Sequence, residues 1–211
     1  MPRIFIMSGI TRRGRCVVCD SEMSHIKSYV NLICKYFSRS SIDFYVDNNS
    51  RIQDAVAECN AIKPDLCYIP NTMDSVMHDR KFSSLYVNSM DSSSIAYRMA
   101  DQIRNCREEF YNGAVFINEF KNTDSFSKVQ APIIADCLVF HDNVEQAKFF
   151  HDNMEVFAIS FVKAICEYFN VLLKESFSIC RQENDDIAEL VDALKKIREI
   201  ADQCIKKIDI E

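Results

Sequence analysis

Ala131-Pro-Ile-Ile-Ala-Asp136-Cys-Leu-Val-Phe-His-Asp-Asn143 carries an apolar run from Ile133 to Phe140 that only Asp136 interrupts, with a proline before it and Asp142-Asn143 after it. A short apolar run bounded by turn residues has the character of a strand buried on both faces, and the pattern predicts one over Ile133 to Val139. The run falls far short of the roughly 18 to 20 apolar residues that a membrane span needs. Strands of that kind belong to parallel sheets whose crossovers are helices, so strands and helices should alternate along the flanking chain. Asp136 is the anomaly. A carboxylate in such a strand is costly to bury without partners, which marks either a site residue or a strand end open to water.

The flanking sequence does alternate. Arg3 to Met7 is a β-rich run ended by Ser8-Gly9, and Ile26, Tyr29, Val30, Ile33, Cys34 and Phe37 then recur at helical steps over Glu22 to Phe37. Asp20 or Ser21 is placed to cap that helix. Ile42 to Val46 predicts a second strand, Arg51 to Ile62 a helix stopped by Pro64, and Leu66 to Ile69 a third strand. Pro70-Asn71-Thr72 reads as the opening of an irregular stretch to about Lys81. Leu85 to Asn88 and Ala114 to Asn118 read as strands around a helix from Ser92 to Asn105, and Val144 to Leu173 as a pair of helices. The expected class is α/β, a mainly parallel sheet with helices on both faces.

After Ser176 the composition changes. Arg181-Gln-Glu-Asn-Asp-Asp186 is polar, and Ile187, Leu190, Leu194, Ile197, Ala201, Cys204 and Ile208 then step by threes and fours along a heptad-like seam. The expected organisation is an α/β domain over residues 1–175, a linker over 176–186 and an amphipathic C-terminal helix over 187–211. That helix either docks on its own domain or pairs with a partner or a second copy in an oligomer.

The 211 residues are 48% hydrophobic and 27% charged, the balance of a globular chain. With 25 Lys and Arg against 31 Asp and Glu, the net charge of −6 argues against a general nucleic-acid binder, although Arg12, Arg13 and Arg15 form a local basic cluster. Only three glycines occur, and neither G-x-G-x-x-G nor G-x-x-x-x-G-K-S/T is present, which removes the usual phosphate loops. Ten cysteines lie scattered, several within apolar patterns. Because the N-terminus lacks the features of a secretory signal, they read as reduced thiols and the chain as cytoplasmic.

Five strings, in order, resemble the zinc-dependent N-acetylmuramoyl-L-alanine amidases of the autolysin and phage-endolysin kind, over residues 3 to 170. They are Arg3-Ile-Phe-Ile-Met-Ser-Gly9, Glu22 opening its helix, Lys63-Pro-Asp-Leu-Cys-Tyr-Ile-Pro-Asn71, Ser84-Leu-Tyr-Val87 and the Ala131 to Asn143 stretch. The resemblance implies zinc held by two histidines and a glutamate, with a further glutamate to help activate the bound water. Three protein ligands leave one tetrahedral position open, and the metal brings the pKa of its water to about 7.

Set on this chain, the resemblance puts Ile10 at the first histidine, Glu22 at the glutamate ligand, Asn71 at the second histidine and Asp136 at the catalytic glutamate. Glu22 is thus the only matching ligand, Asp136 a general base one methylene shorter and Asn71 a position for ligand contacts. Arg12 and Arg13 belong to a basic loop at the strand-to-helix edge of the sheet, where α/β ligand sites lie, and are either contacts for an anionic ligand or part of a solvated loop. The expectation is a catalytically degenerate amidase-like protein, without a zinc cofactor, that binds a peptidoglycan fragment, a peptide or a protein partner. An active zinc amidase stands as the first alternative, released in the manner of a phage lysin, with substitute ligands among Cys16, Cys19, Glu22, His25 and His78. A helix-mediated scaffold is the second.

Overall fold

The computed structural model describes residues 1–8, 17–18, 21–47, 49, 51–75, 79–120 and 126–174. The chain divides into Met1–Leu173 and Lys174–Glu211, and the linker and helix expected over 176–211 lie outside the described residues. In chain order the elements are β1 (Arg3–Met7), α1 (Glu22–Phe37), β2 (Asp43–Asp47), α2 (Ile52–Ile62), β3 (Leu66–Met73), β4 (Phe82–Val87), α3 (Ile95–Glu108), β5 (Ala114–Glu119), β6 (Ile133–Phe140) and α4 (Val144–Tyr168). The strands form one sheet in the order β2-β1-β3-β6-β4-β5, parallel throughout except where β4 meets β6. The expected α/β class is therefore present. β6 lies between β3 and β4 with Ile133, Ile134, Leu138, Val139 and Phe140 buried, which accounts for its nearly unbroken apolar sequence.

Helices cover both faces. On one, Ala55, Val56 and Cys59 of α2 join Phe5, Met7, Cys67, Ile69 and Ile133 in a single buried cluster. On the other, Tyr68 stacks on Phe161 at 3.9 Å between ring centroids, Phe161 meets Phe37 edge-on, and Phe157 meets Phe110, Phe149 and Phe150 edge-on. Full burial of each such side chain contributes about 1.5 to 3 kcal/mol. Short polar side chains start α1, α3 and α4: Ser21 Oγ accepts from Ser24 N at 3.2 Å, Ser94 Oγ from Tyr97 N at 3.2 Å and Asn143 Oδ1 from Gln146 N at 3.1 Å. Lys63, in the left-handed region at φ 52°, ends α2 just ahead of Pro64.

Three elements depart from expectation. β3 continues through Pro70, Asn71 and Thr72 to Met73 instead of ending at Ile69. Its pairing with β1 stops at Tyr68 while that with β6 runs on, so the missing N–H of Pro70 costs the β1 ladder nothing. β4 begins at Phe82, because the polar Ser83 and Ser84 are both buried strand residues. The expected helix pair is one helix, α4, kinked at Asn153, whose side-chain amide donates to Phe149 O at 2.9 Å. Among the described residues six cysteines are free, with Cys59, Cys67, Cys106, Cys137 and Cys166 buried and Cys34 half-buried. None of the described helices is long and apolar enough to cross a membrane.

Candidate functional site

The chain leaves the carboxyl end of β1 toward β2 on one side and that of β3 toward β4 on the other, so the direction of the strand order reverses between β1 and β3. Ligands of open α/β sheets bind outside the carboxyl ends of the strands at such a switch point. Three polar side chains meet there. Glu22 opens α1, Thr72 lies near the end of β3, and His141 directly follows β6. Thr72 Oγ1 donates to Glu22 Oε1, and His141 Nδ1 lies 3.1 Å from Thr72 Oγ1 and 3.8 Å from Glu22 Oε1. The imidazole is seated by its backbone: His141 N donates to Met73 O at 2.9 Å, and His141 O accepts from Val17 N at 3.4 Å.

Glu22 is almost wholly buried, at 2% exposure, and its Oε2 has no hydrogen-bond partner among the described residues. Asn71, beside Thr72 on β3, likewise has a buried Oδ1 without one. Buried acceptors are nearly always satisfied, so two orphans at one sheet edge point to something that donates to them. Asn71 is in register with Cys137 of β6, which is in register with Ser84 of β4, and these three side chains share a sheet face. Burial, and then the charges of Asp136 and Glu22, push the Cys137 thiol well above its usual range, which keeps it a protonated, inert group.

Asp136 stands apart from this cluster. Adjacent strand residues point to opposite faces, and Asp136 points into the face covered by α1, α3 and α4. There Arg107 of α3 donates from Nη1 to Oδ1 at 2.7 Å and from Nη2 to Oδ2 at 2.6 Å, with both side chains fully buried. Tyr68 donates to Oδ2 at 2.7 Å, which leaves Tyr29 to donate to the Tyr68 hydroxyl at 3.0 Å. Arg107 Nη1 also donates to Ser83 Oγ at 2.7 Å, and that hydroxyl donates onward to Cys137 O at 2.9 Å. Burial first, and the charge of Asp136 second, hold the Tyr68 phenol far above its ordinary pKa, so it stays a donor. Asp136 is thus neither open to water nor unpartnered.

The structure therefore joins Glu22 to Thr72, the neighbour of Asn71 on β3, and gives Asp136 a separate set of partners in Arg107 and Tyr68. His25, one turn beyond Glu22, has its Nε2 3.2 Å from His151 Nδ1, with the rings stacked at 5.3 Å. Ile10, Arg12, Arg13, Arg15, Cys16, Cys19 and His78 lie outside the described residues. Thr72 and His141 were not among the residues predicted for the site. The one signal for His141 was its place directly after a central strand, where α/β folds put ligand contacts.

The resemblance to zinc amidases calls for a test of the donors. The described residues bring one carboxylate and one imidazole together, and Glu22 spends one oxygen on Thr72. Asn71 adds only a carbonyl oxygen, where zinc prefers N and S donors beside carboxylate. No group of three or more His, Cys, Asp or Glu side chains able to hold a metal occurs among the described residues. These residues do not fit a three-ligand zinc centre.

No known family profile matches the chain, and no curated protein matches it in sequence. Solved structures do. The catalytic domain of CwlV, an N-acetylmuramoyl-L-alanine amidase from Bacillus (Paenibacillus) polymyxa var. colistinus, superposes with a TM-score of 0.67 at 12% identity, covering 81% of this chain and 99% of that one. The catalytic domain of an endolysin targeting Clostridia difficile gives 0.61 at 17% identity, covering 79% and 98%. The CwlD amidase of Clostridioides difficile, solved in complex with the GerS lipoprotein, gives 0.63 at 9% identity, covering 81% and 99%. The six-stranded α/β domain thus has the fold of N-acetylmuramoyl-L-alanine amidase catalytic domains.

Proposed function

We propose that this chain is an amidase-fold protein that binds a peptidoglycan fragment at the carboxyl edge of its sheet and does not cleave it. The carrying observation is the donor set: one carboxylate engaged by Thr72, one imidazole, and an asparagine where the resemblance implies a second histidine. Such a site can hold a ligand by hydrogen bonds, with Glu22 Oε2 and Asn71 Oδ1 as acceptors for N–H and O–H groups. Among the described residues there is no three-ligand cage of the kind that generates hydroxide for amide attack. Asp136 belongs to the support of the fold, since Arg107 and Tyr68 take up both its oxygens. Arg12 and Arg13 are the cationic residues assigned to the carboxylates of such a fragment. A protein partner is compatible with this reading, because one fold relative is an amidase complexed with a lipoprotein.

The test pairs two measurements on the full chain. A soluble N-acetylmuramoyl-L-alanyl peptide is titrated in a calorimeter, and the same peptide and purified peptidoglycan are incubated with the protein plus added zinc and analysed for released amine. Binding without cleavage is expected. Cleavage that a chelator abolishes would overturn the proposal and establish the alternative, a zinc amidase with substitute ligands.

A further inference from the structure

We propose that His141 is a further acceptor through which this site holds its ligand, with Nε2 taking a hydrogen bond from a ligand hydroxyl or amide N–H. The inference rests on the binding function proposed above and adds a contact to it. It follows from counting protons. The Thr72 hydroxyl has one proton, and the Glu22 carboxylate, acceptor-only when ionised, takes it. Thr72 Oγ1 can then serve His141 only as an acceptor, so the ring nitrogen 3.1 Å away, Nδ1, is the one that carries hydrogen. The hydrogen bond made by one imidazole nitrogen sets the state of the other, and Nε2 of the neutral ring is left with a lone pair.

Nε2 makes no hydrogen bond among the described residues, and the ring is 12% exposed where the Glu22 side chain is 1% exposed. Carboxylate, hydroxyl and imidazole thus form a chain that runs from the interior outward and ends in a fixed acceptor. The sequence separates the three by 50 and 69 residues, and only the pairing of β3 with β6 brings the last two together. A muramoyl peptide carries both sugar hydroxyls and amide N–H groups, the donors that such an acceptor selects.

The experiment reads the ring directly. In the full chain labelled with nitrogen-15, long-range proton–nitrogen correlations at pH 8 report which nitrogen of each histidine carries hydrogen, and His141→Gln assigns the His141 signals. The expected wild-type state is Nδ1–H, and Thr72→Val should shift His141 toward Nε2–H. N-acetylmuramoyl-L-alanyl-D-isoglutamine, added as the probe, should move the Nε2 signal of His141 and leave those of His25 and His151 in place. His141→Ala should weaken binding of this probe about three- to tenfold, the worth of one neutral hydrogen bond. His141→Gln, whose Oε1 can accept, should recover part of that loss.

An Nε2–H ring in the wild type, or no response to Thr72→Val, would overturn the relay. A His141→Ala variant that is folded by circular dichroism and binds the probe as the wild type does would overturn this inference alone. A wild type that binds no probe would overturn the function proposed above, and with it the ligand assigned to Nε2.

Discussion

Replacing Asp136 by alanine should lower stability by about 3 to 5 kcal/mol, because it leaves the Arg107 guanidinium buried and without a counter-charge. The geometry sets this magnitude. Both side chains are fully buried and joined by two hydrogen bonds of 2.6 and 2.7 Å, and Tyr68 loses its acceptor in the same step. Against a typical total of about 5 to 15 kcal/mol the loss is large, so the variant is best studied beside a compensated one. Arg107→Met combined with Asp136→Leu removes both charges and fills similar volume, and it should recover most of the stability. Urea unfolding followed by circular dichroism reads the midpoint and the slope, and an unchanged slope permits the comparison. A loss below about 1 kcal/mol for Asp136→Ala would refute the reasoning, since it would mean that water or a rearrangement satisfies Arg107. The isosteric Asp136→Asn addresses function. If it folds with wild-type stability yet no longer binds the muramoyl peptide, Asp136 belongs to the site and not to the frame.

Two further outcomes are expected. Asn143→Ala removes the cap of α4 and should cost about 0.5 to 2 kcal/mol in the same unfolding assay, whereas Asn143→Asp should keep most of that stability. Burial, and next the neighbouring His151, depress the pKa of His25, so the unfolded chain takes up this proton more readily than the folded one. Stability should therefore fall as pH drops below the ordinary imidazole value of about 6.5. The urea midpoint should shift less between pH 7.5 and pH 5 in His25→Gln than in the wild type, and equal shifts would contradict the assignment.

The layering of this fold was legible because its cause is local. Alternating apolar periods mark strands and helices, and the run at Ile133 to Phe140 identified a strand buried on both faces. Where local chemistry misled, the neighbours decided. Pro70 reads as a strand end, and it is tolerated because β3 outruns β1 at that point. Asp136 stood out in the sequence, but its meaning depended on Arg107, 29 residues away on a helix whose pattern showed only an amphipathic face. The edge cluster was the least legible part. Thr72 looked like loop and His141 like a turn residue, and that β3 and β6 are neighbours in the sheet cannot be read from any periodicity.

The order of strands also bears on how the chain is made. β6, which joins the two halves of the sheet, is the last of the described strands to leave the ribosome, after β1 to β5 have all been synthesised. Until then the nascent chain can hold β2-β1-β3 and β4-β5 as separate half-sheets, with the β3 and β4 edges that β6 will join still open. Unpaired edges of this kind template pairing between chains. Until β6 emerges, the nascent chain therefore carries two fragments with sticky edges, and insertion of β6 converts them into one continuous six-stranded sheet.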